Sequence, residues 1–109
     1  ISKYRLDNIT VIIDSNQMSL DERIEEVMDS LNLPALWQAA GWKVLQCDGH
    51  DMKALVRNLN RALKTRNQPQ VIIANTVKGK GISFMENRHE WHIGGLTKEQ
   101  TAQALKELR

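Results

Sequence analysis

Residues 44–74 read VLQCDGHDMKALVRNLNRALKTRNQPQVIIA, and the order of their apolar runs decides the fold. Val44-Leu45 and Val71-Ile72-Ile73-Ala74 are short runs typical of strands buried on both faces. Between them, Asp51 is placed to cap a helix and Pro69 follows its end. The apolar residues of that helix share one face: Met52, Leu55, Val56, Leu59 and Leu63. Strand, helix and strand over about thirty residues predict a βαβ unit and therefore a parallel sheet.

Apolar runs outside this unit extend the pattern. Val11-Ile12-Ile13 predicts a third strand that is also buried on both faces, while Pro34 suits the first turn of a helix and Gly41 suits its end. A sheet of three parallel strands needs its edges paired and its faces covered. We therefore expect an α/β fold, a parallel sheet with flanking helices, that leaves a sheet edge and some helix faces uncovered. A chain that opens on Ile1 rather than Met is expected to be a piece of a longer product.

Two capping boxes predict further helices. Residues 97–100 (TKEQ) place a Thr hydroxyl and a Gln amide three apart, at the start of a helix that carries Leu105 and Leu108. Residues 19–22 (SLDE) have the same spacing and predict a helix that continues through Leu31.

Bulk composition excludes several classes of protein. The 109 residues suffice for one small domain. A net charge of +2, from fifteen basic and thirteen acidic residues, is too even to favour nucleic acid or a membrane surface as a partner. No apolar run approaches the ~20 residues that cross a bilayer. The single Cys47 cannot form an internal disulfide, which fits a reducing cytoplasm, though not that compartment alone.

The turn after the first strand carries oxygen ligands. In parallel α/β sheets, ligands bind beyond the carboxyl ends of strands, and residues 14–18 (DSNQM) follow such an end. The Asn16 amide oxygen and the Met18 carbonyl can both point at one hard cation. The same residue types are also ordinary turn formers, so an ion site and a plain turn both remain open.

A second candidate site follows the third strand. In Lys78-Gly79-Lys80-Gly81, the glycines let the backbone approach an anion while the ammonium groups neutralise it. The plainer interpretation is a solvated basic loop. His89 and His92 come next, and their spacing of three does not fit a helical zinc site. For His89 we prefer a hydrogen-bonded loop role.

Two stretches resemble the thiamine diphosphate-binding domain of transketolases. Residues 6–16 (LDNITVIIDSN) resemble the strand and turn that close the family's cofactor motif, which begins with Gly-Asp-Gly and ends with Asn. Residues 75–87 (NTVKGKGISFMEN) closely resemble a segment of the N-terminal subunits of two-component transketolases. The resemblance runs from Tyr4 to about Leu108 and implies part of a doubly wound domain.

The resemblance also implies roles for individual residues. Asn16 and Met18 would bind Mg²⁺ (or Ca²⁺), through a side-chain oxygen and a backbone carbonyl. His92 would be the catalytic residue, close to the diphosphate and to a hydroxyl of the donor substrate, because an imidazole can donate a hydrogen bond and move protons. The implied contacts to thiamine diphosphate are Met18, Leu20, Lys78, Lys80 and His92.

The implied activity is transfer of a two-carbon ketol unit between sugar phosphates. Residues 1–109 would then be the C-terminal portion of the diphosphate-binding domain, with the Gly-Asp-Gly portion upstream of it. One partner chain would carry that portion, and a further chain or domain would carry the pyrimidine-binding half. We therefore expect a cytoplasmic hetero-oligomer, inactive without its partners, with no nucleic acid or membrane partner.

Three positions depart from the family pattern. Gln17 and Glu22 stand where relatives usually have Gly, and Ile93 follows His92 where many relatives have Gly. These departures leave two alternatives open. One is a transketolase-like enzyme of specialised metabolism with another donor or acceptor. The other is a non-catalytic assembly or regulatory subunit that keeps the fold.

Overall fold

The computed structural model describes residues 1–18 and 32–109. They form two compact units, one of residues 1–15 and 32–76 and the other of residues 16–18 and 77–109. The helix predicted to begin at residues 19–22, and the cofactor contact predicted for Leu20, lie outside the described residues.

The first unit contains a parallel sheet and two helices. A short 3-10 turn, Ser2–Tyr4, precedes the first strand. The regular elements in chain order are β1 (Thr10–Ser15), α1 (Leu33–Ala39), β2 (Lys43–Asp48), α2 (Met52–Leu63) and β3 (Gln70–Asn75). The predicted βαβ unit is therefore confirmed as β2-α2-β3. Its helix begins where expected, because the Asp51 carboxylate accepts the backbone N–H groups of Lys53 (2.9 Å) and Ala54 (3.1 Å).

The strands lie in the order β1-β3-β2, and both pairings are parallel. Ser15 of β1 and Asp48 of β2 both pair with Asn75 of β3, so the three carboxyl ends are level. This is the edge at which open parallel sheets bind ligands.

Each face of the sheet has its own apolar cluster. On one face, Trp42, Val71 and Ile73 are buried beneath α1, and Trp37 packs edge-on against Trp42 with ring centroids 4.8 Å apart. On the other face, Leu45 and Ile72 are buried beneath Ala62 of α2. Successive residues of β3 face opposite clusters, so this strand is buried on both sides, as its unbroken apolar run predicts.

The amino end of β3 buries a polar side chain. Gln70 is 0% exposed, and its side-chain oxygen accepts the Thr10 hydroxyl at 3.2 Å. Its amide donates to the backbone carbonyls of Asp7 and Gln68. A buried amide is tolerated when both of its ends are paired, and here it joins β1 to β3.

Two predicted burial patterns are wrong in detail. β1 lies at an edge of this sheet, and Ile12 is 57% exposed instead of buried on both sides. The face of α2 against the sheet is formed by Ala54, Asn58 and Ala62, whereas most of the predicted apolar face is exposed, with Leu63 at 72%. Small side chains allow close approach of helix to sheet, and the Asn58 amide donates to the Gln46 carbonyl at 3.1 Å.

The second unit contains a loop, a 3-10 turn (His89–His92) and the helix α3 (Lys98–Glu107). The capping box of α3 is confirmed: the Thr97 hydroxyl accepts the Gln100 N–H (3.2 Å), and the Gln100 side chain accepts the Thr97 N–H (2.9 Å). Ala104 is its buried residue, while Leu105 is 55% exposed. Over the described ranges, no helix has both the length and the apolar run needed to cross a membrane.

Candidate functional site

The carboxyl edge of the sheet is held together by hydrogen bonds at the strand ends. The Thr76 N–H donates to the Ser15 carbonyl at 3.2 Å, and the Thr76 hydroxyl donates to the Asp14 carboxylate. The Gly49 N–H donates to the Asn75 carbonyl at 2.7 Å. A Cβ on Gly49 would lie 2.4 Å from the Thr76 methyl group, so this glycine is required by close packing of the strand ends.

The turn that follows β1 brings two predicted metal ligands together. The Asn16 amide oxygen accepts the Met18 N–H at 3.0 Å, and both residues are half-buried. Gln17 between them has φ +62, the left-handed conformation that glycine adopts freely and that costs other residues about 1–2 kcal/mol. An amide oxygen has two lone pairs, so this hydrogen bond is compatible with a cation contact at the same atom. Gln17, where the family resemblance leads us to expect Gly, therefore adopts a backbone conformation that Gly would favour.

The glycine–lysine loop (residues 77–88) closes on itself. The Asn87 N–H donates to the Lys78 carbonyl at 3.0 Å, and the Ile82 N–H donates to the Gly79 carbonyl at 3.2 Å. Gly79 has φ +74, and a Cβ there would lie 2.6 Å from the Met85 carbonyl oxygen. The loop thus has two arms, one around Gly79 and the other around Met85, and only glycine fits at position 79 without a shift of the backbone.

The two lysines of the loop have different surroundings. The Glu86 carboxylate accepts the Gly81 N–H at 3.0 Å and lies 3.8 Å from the Lys80 ammonium nitrogen. Lys78 is half-buried, and no carboxylate within residues 1–18 and 32–109 lies within ion-pair distance of it. Lys78 is therefore the more available of the two charges for an anionic ligand.

An indole anchors the 3-10 turn of the histidines to this loop. The Trp91 Nε1–H donates to the Phe84 carbonyl at 2.8 Å, and the two rings meet at 61° with centroids 5.3 Å apart. His92 follows directly and is exposed. His89 has its Nδ1 atom 3.9 Å from the Glu90 carboxylate, which is too long for a hydrogen bond, so the hydrogen-bonded loop role preferred for His89 stays a prediction.

The loop is also attached to the last helix. The Glu107 carboxylate accepts the Ser83 N–H at 2.6 Å and the Ser83 hydroxyl at 2.8 Å. The Gln103 amide donates to the same carboxylate at 2.9 Å. The hydrogen bond from Gln103, followed by the two from Ser83, holds the pKa of Glu107 below its usual range. Sequence reasoning missed Glu107, because nothing local links residues 24 apart in the chain.

The described residues thus group the predicted site into two sets. Asn16 and Met18 share one turn, and the loop that carries Lys78 and Lys80 is joined to His92 through the Trp91–Phe84 contact. Among residues 1–18 and 32–109, no three His, Cys, Asp or Glu side chains converge as a metal site. The oxygens of Asn16 and Met18 suit a hard cation, but Mg²⁺ and Ca²⁺ take six or more ligands in all.

Comparison with known families matches residues 1–108 to the transketolase, thiamine diphosphate binding domain. The chain is 37% identical to an apulose-4-phosphate transketolase subunit of Phocaeicola vulgatus, over 98% of its own length. It is 36% identical to a 6-deoxy-6-sulfo-D-fructose transketolase subunit of a Clostridium species, over 95% of its length. Its fold is similar to that of the transketolase of Campylobacter jejuni, with a TM-score of 0.89, 30% identity and 98% of the chain covered.

The chain is short beside these proteins. It spans 38% of each of the two subunits and 17% of the Campylobacter chain.

Proposed function

The chain belongs to the transketolase family, as part of its thiamine diphosphate-binding domain, and on that premise we propose that it helps to hold this cofactor in a ketol-transferring enzyme. The reaction moves a two-carbon ketol unit from a ketose phosphate to an aldose phosphate. When bound, thiamine diphosphate supplies the electron sink for cleavage of the carbon–carbon bond. The observation that carries the proposal is that the Asn16–Met18 turn and the glycine–lysine loop both lie within the matched residues.

The turn after β1 would hold a divalent cation, Mg²⁺ or Ca²⁺, against the diphosphate. Asn16 would contribute its side-chain oxygen and Met18 its backbone carbonyl, and the hydrogen bond from the Met18 N–H to the Asn16 side-chain oxygen constrains the turn that carries both residues. The carboxylate that completes the metal site would come from the Gly-Asp-Gly portion of the domain. Leu20 is proposed to contact the cofactor ring.

The glycine–lysine loop and the turn after it would contact the anionic and reacting ends of the ligands. Lys78 would neutralise diphosphate charge, and Lys80 would contribute less because Glu86 already faces it. His92 would donate a hydrogen bond from its imidazole to the diphosphate or to a hydroxyl of the donor substrate. It would also hold the proton that moves during the transfer.

This chain would work only within a hetero-oligomer. Residues 1–109 would be the C-terminal portion of the diphosphate-binding domain, completed by a chain with the Gly-Asp-Gly portion and by a chain or domain with the pyrimidine-binding half. The subunit names of the relatives support such a division. We place the assembly in the cytoplasm, where the free thiol of Cys47 is kept reduced.

A direct test is cation-dependent binding of thiamine diphosphate by the reassembled enzyme. Asn16→Ala removes a proposed metal ligand and is expected to weaken binding in Mg²⁺ by at least about tenfold. Asn60→Ala is the matched control, because Asn60 is an exposed amide on α2. Equal binding by Asn16→Ala and the wild type would reject the metal role. Unchanged binding together with no transfer to any aldose phosphate would favour the assembly or regulatory subunit.

A second candidate is ketol transfer with a less common sugar. Ile93 follows His92 where many relatives have Gly, and it is 81% exposed, so it adds an apolar surface beside the proposed donor contact. The relatives named for apulose 4-phosphate and for a sulfonated fructose also favour this alternative. Assays of the reassembled enzyme with common ketose phosphates, with apulose 4-phosphate and with 6-deoxy-6-sulfo-D-fructose would separate the two candidates.

A further inference from the structure

The carboxylate of Glu107 accepts two hydrogen bonds from Ser83 of the glycine–lysine loop. One oxygen accepts the Ser83 N–H (2.6 Å) and the other accepts the Ser83 hydroxyl (2.8 Å). A charged acceptor for two donors on one residue fixes both the position and the orientation of the backbone there. The Gln103 amide, one turn earlier on α3, donates to the same carboxylate at 2.9 Å and orients it.

The last turn of α3 touches the loop at a second point. A Cβ on Gly81 would meet the Leu108 side chain at 3.2 Å, so the end of the helix lies directly against the segment that follows Lys80. The Gly81 N–H in turn donates to Glu86, which faces the Lys80 ammonium group. The contacts of Ser83 and Gly81 therefore act on the stretch of backbone that carries Lys80 and closes onto Lys78.

We propose that Glu107 is a positioning residue for anion binding, which fixes the glycine–lysine loop through Ser83 so that Lys78 and Lys80 are held ready for a diphosphate. This inference rests on the proposed function, because it concerns the same loop. Glu107 itself does not touch the ligand. Its effect is to reduce the number of conformations that the loop must abandon when an anion binds, and such preorganisation increases affinity.

The test uses the reassembled enzyme in Mg²⁺ and two measurements. Amide hydrogen exchange at Ser83 reports whether the loop is held, and titration with inorganic pyrophosphate, followed by NMR at residues 77–88, reports anion affinity. Glu107→Gln is expected to accelerate exchange at Ser83 by about fivefold or more and to weaken pyrophosphate binding by about threefold or more. Ser83→Ala, which keeps the N–H donor, is expected to give a smaller change of the same sign.

Glu99→Gln is the matched control, since Glu99 lies on the same helix and has its hydrogen-bond partners at Thr97 and its own backbone. Like Glu107→Gln, it removes one negative charge, but it does so at the start of α3, where Glu99 makes no contact with the loop. It is expected to leave both measurements at the wild-type values. An equal loss in this control would attribute the effect to helix stability and overturn the positioning role.

Two further outcomes would also overturn the proposal. Unchanged exchange at Ser83 in Glu107→Gln would mean that the contact does not hold the loop. Faster exchange with unchanged pyrophosphate affinity would mean that holding the loop does not serve anion binding. If the wild-type reassembled enzyme shows no pyrophosphate binding in Mg²⁺, the anion role of the loop in the proposed function fails. A failure of the positioning role alone shows instead as wild-type pyrophosphate binding that Glu107→Gln leaves unchanged.

Discussion

Gly79 is the position at which one added methyl group is expected to disturb the candidate site most. Its φ of +74 belongs to the left-handed region, and its Cβ would lie 2.6 Å from the carbonyl oxygen and 2.7 Å from the carbonyl carbon of Met85. These are backbone atoms of the opposite arm of the loop, so no side-chain rotation can relieve the clash. Gly79→Ala must therefore separate the two arms.

The magnitude follows from two contributions. An L residue in the left-handed conformation costs about 1–2 kcal/mol. Separation of the arms breaks the hydrogen bond from Asn87 to the Lys78 carbonyl, which contributes about 1 kcal/mol. We expect loop closure to weaken by about 2–3 kcal/mol, which corresponds to at least about thirtyfold faster opening at the Asn87 amide.

Two glycines of the same unit provide graded controls. Gly81 has φ +97, but its nearest neighbour is a movable Leu108 methyl group at 3.2 Å, so Gly81→Ala should cost about 1–2 kcal/mol. Gly95 has no atom within 4 Å of an added Cβ, and Gly95→Ala should stay within about 0.5 kcal/mol of the wild type.

We would compare Gly79→Ala, Gly81→Ala and Gly95→Ala by hydrogen exchange of the Asn87 amide and by urea unfolding of the full chain. Exchange reports local opening of the loop, and unfolding reports whether the loss spreads beyond it. An Asn87 amide that exchanges no faster in Gly79→Ala than in Gly95→Ala would refute the packing argument.

Three other perturbations have definite expected outcomes. Trp91→Phe keeps an aromatic ring but loses the 2.8 Å hydrogen bond to the Phe84 carbonyl. It should therefore reduce the free energy of unfolding by about 1 kcal/mol, and an unchanged midpoint of urea unfolding would contradict this. Asp51→Ala removes the cap of α2 and should cost about 1 kcal/mol by urea unfolding, while Lys53→Ala, which keeps the capping N–H, is its control and should cost much less. Hydrogen bonds lower the pKa of Glu107 in the folded protein. The stabilisation that the Glu107 carboxylate gives to the loop is therefore complete above its unfolded-state pKa, and it is lost as pH falls through the lower folded-state pKa. Protection of the Ser83 amide should therefore fall at acidic pH, below the ordinary range of a glutamate, and show no such step in Glu107→Gln.

Much of the sheet could be predicted from local pattern. The apolar runs, the Asp51 cap and the spacing between strands predicted β2-α2-β3, and the capping box predicted α3, because these signals act over a few residues. The burial of each strand could not be obtained in the same way. β1 and β3 have similar β-branched sequences, yet only β3 lies between two strands and is buried on both sides.

The face of α2 shows the same limit. Periodicity correctly places Met52, Val56 and Leu63 on one side, but the sheet is packed against Ala54 and Ala62 instead. Helical periodicity tells which residues are neighbours on a helix, and does not tell which side has the shape to approach a sheet. The exposed apolar side agrees with our expectation of uncovered helix faces.

The sequence by itself determined the parallel α/β class, the family and the residue types of the two candidate sites, because short motifs such as residues 14–18 and 77–88 carry their chemistry locally. Only the tertiary structure decided how the glycine–lysine loop is held. Within this loop, residues 83–87 contact Glu107, Trp91, Gly79, Gly81 and Lys78. Such contacts depend on where the chain returns in space, and a carboxylate 24 residues away leaves no local signal in the sequence.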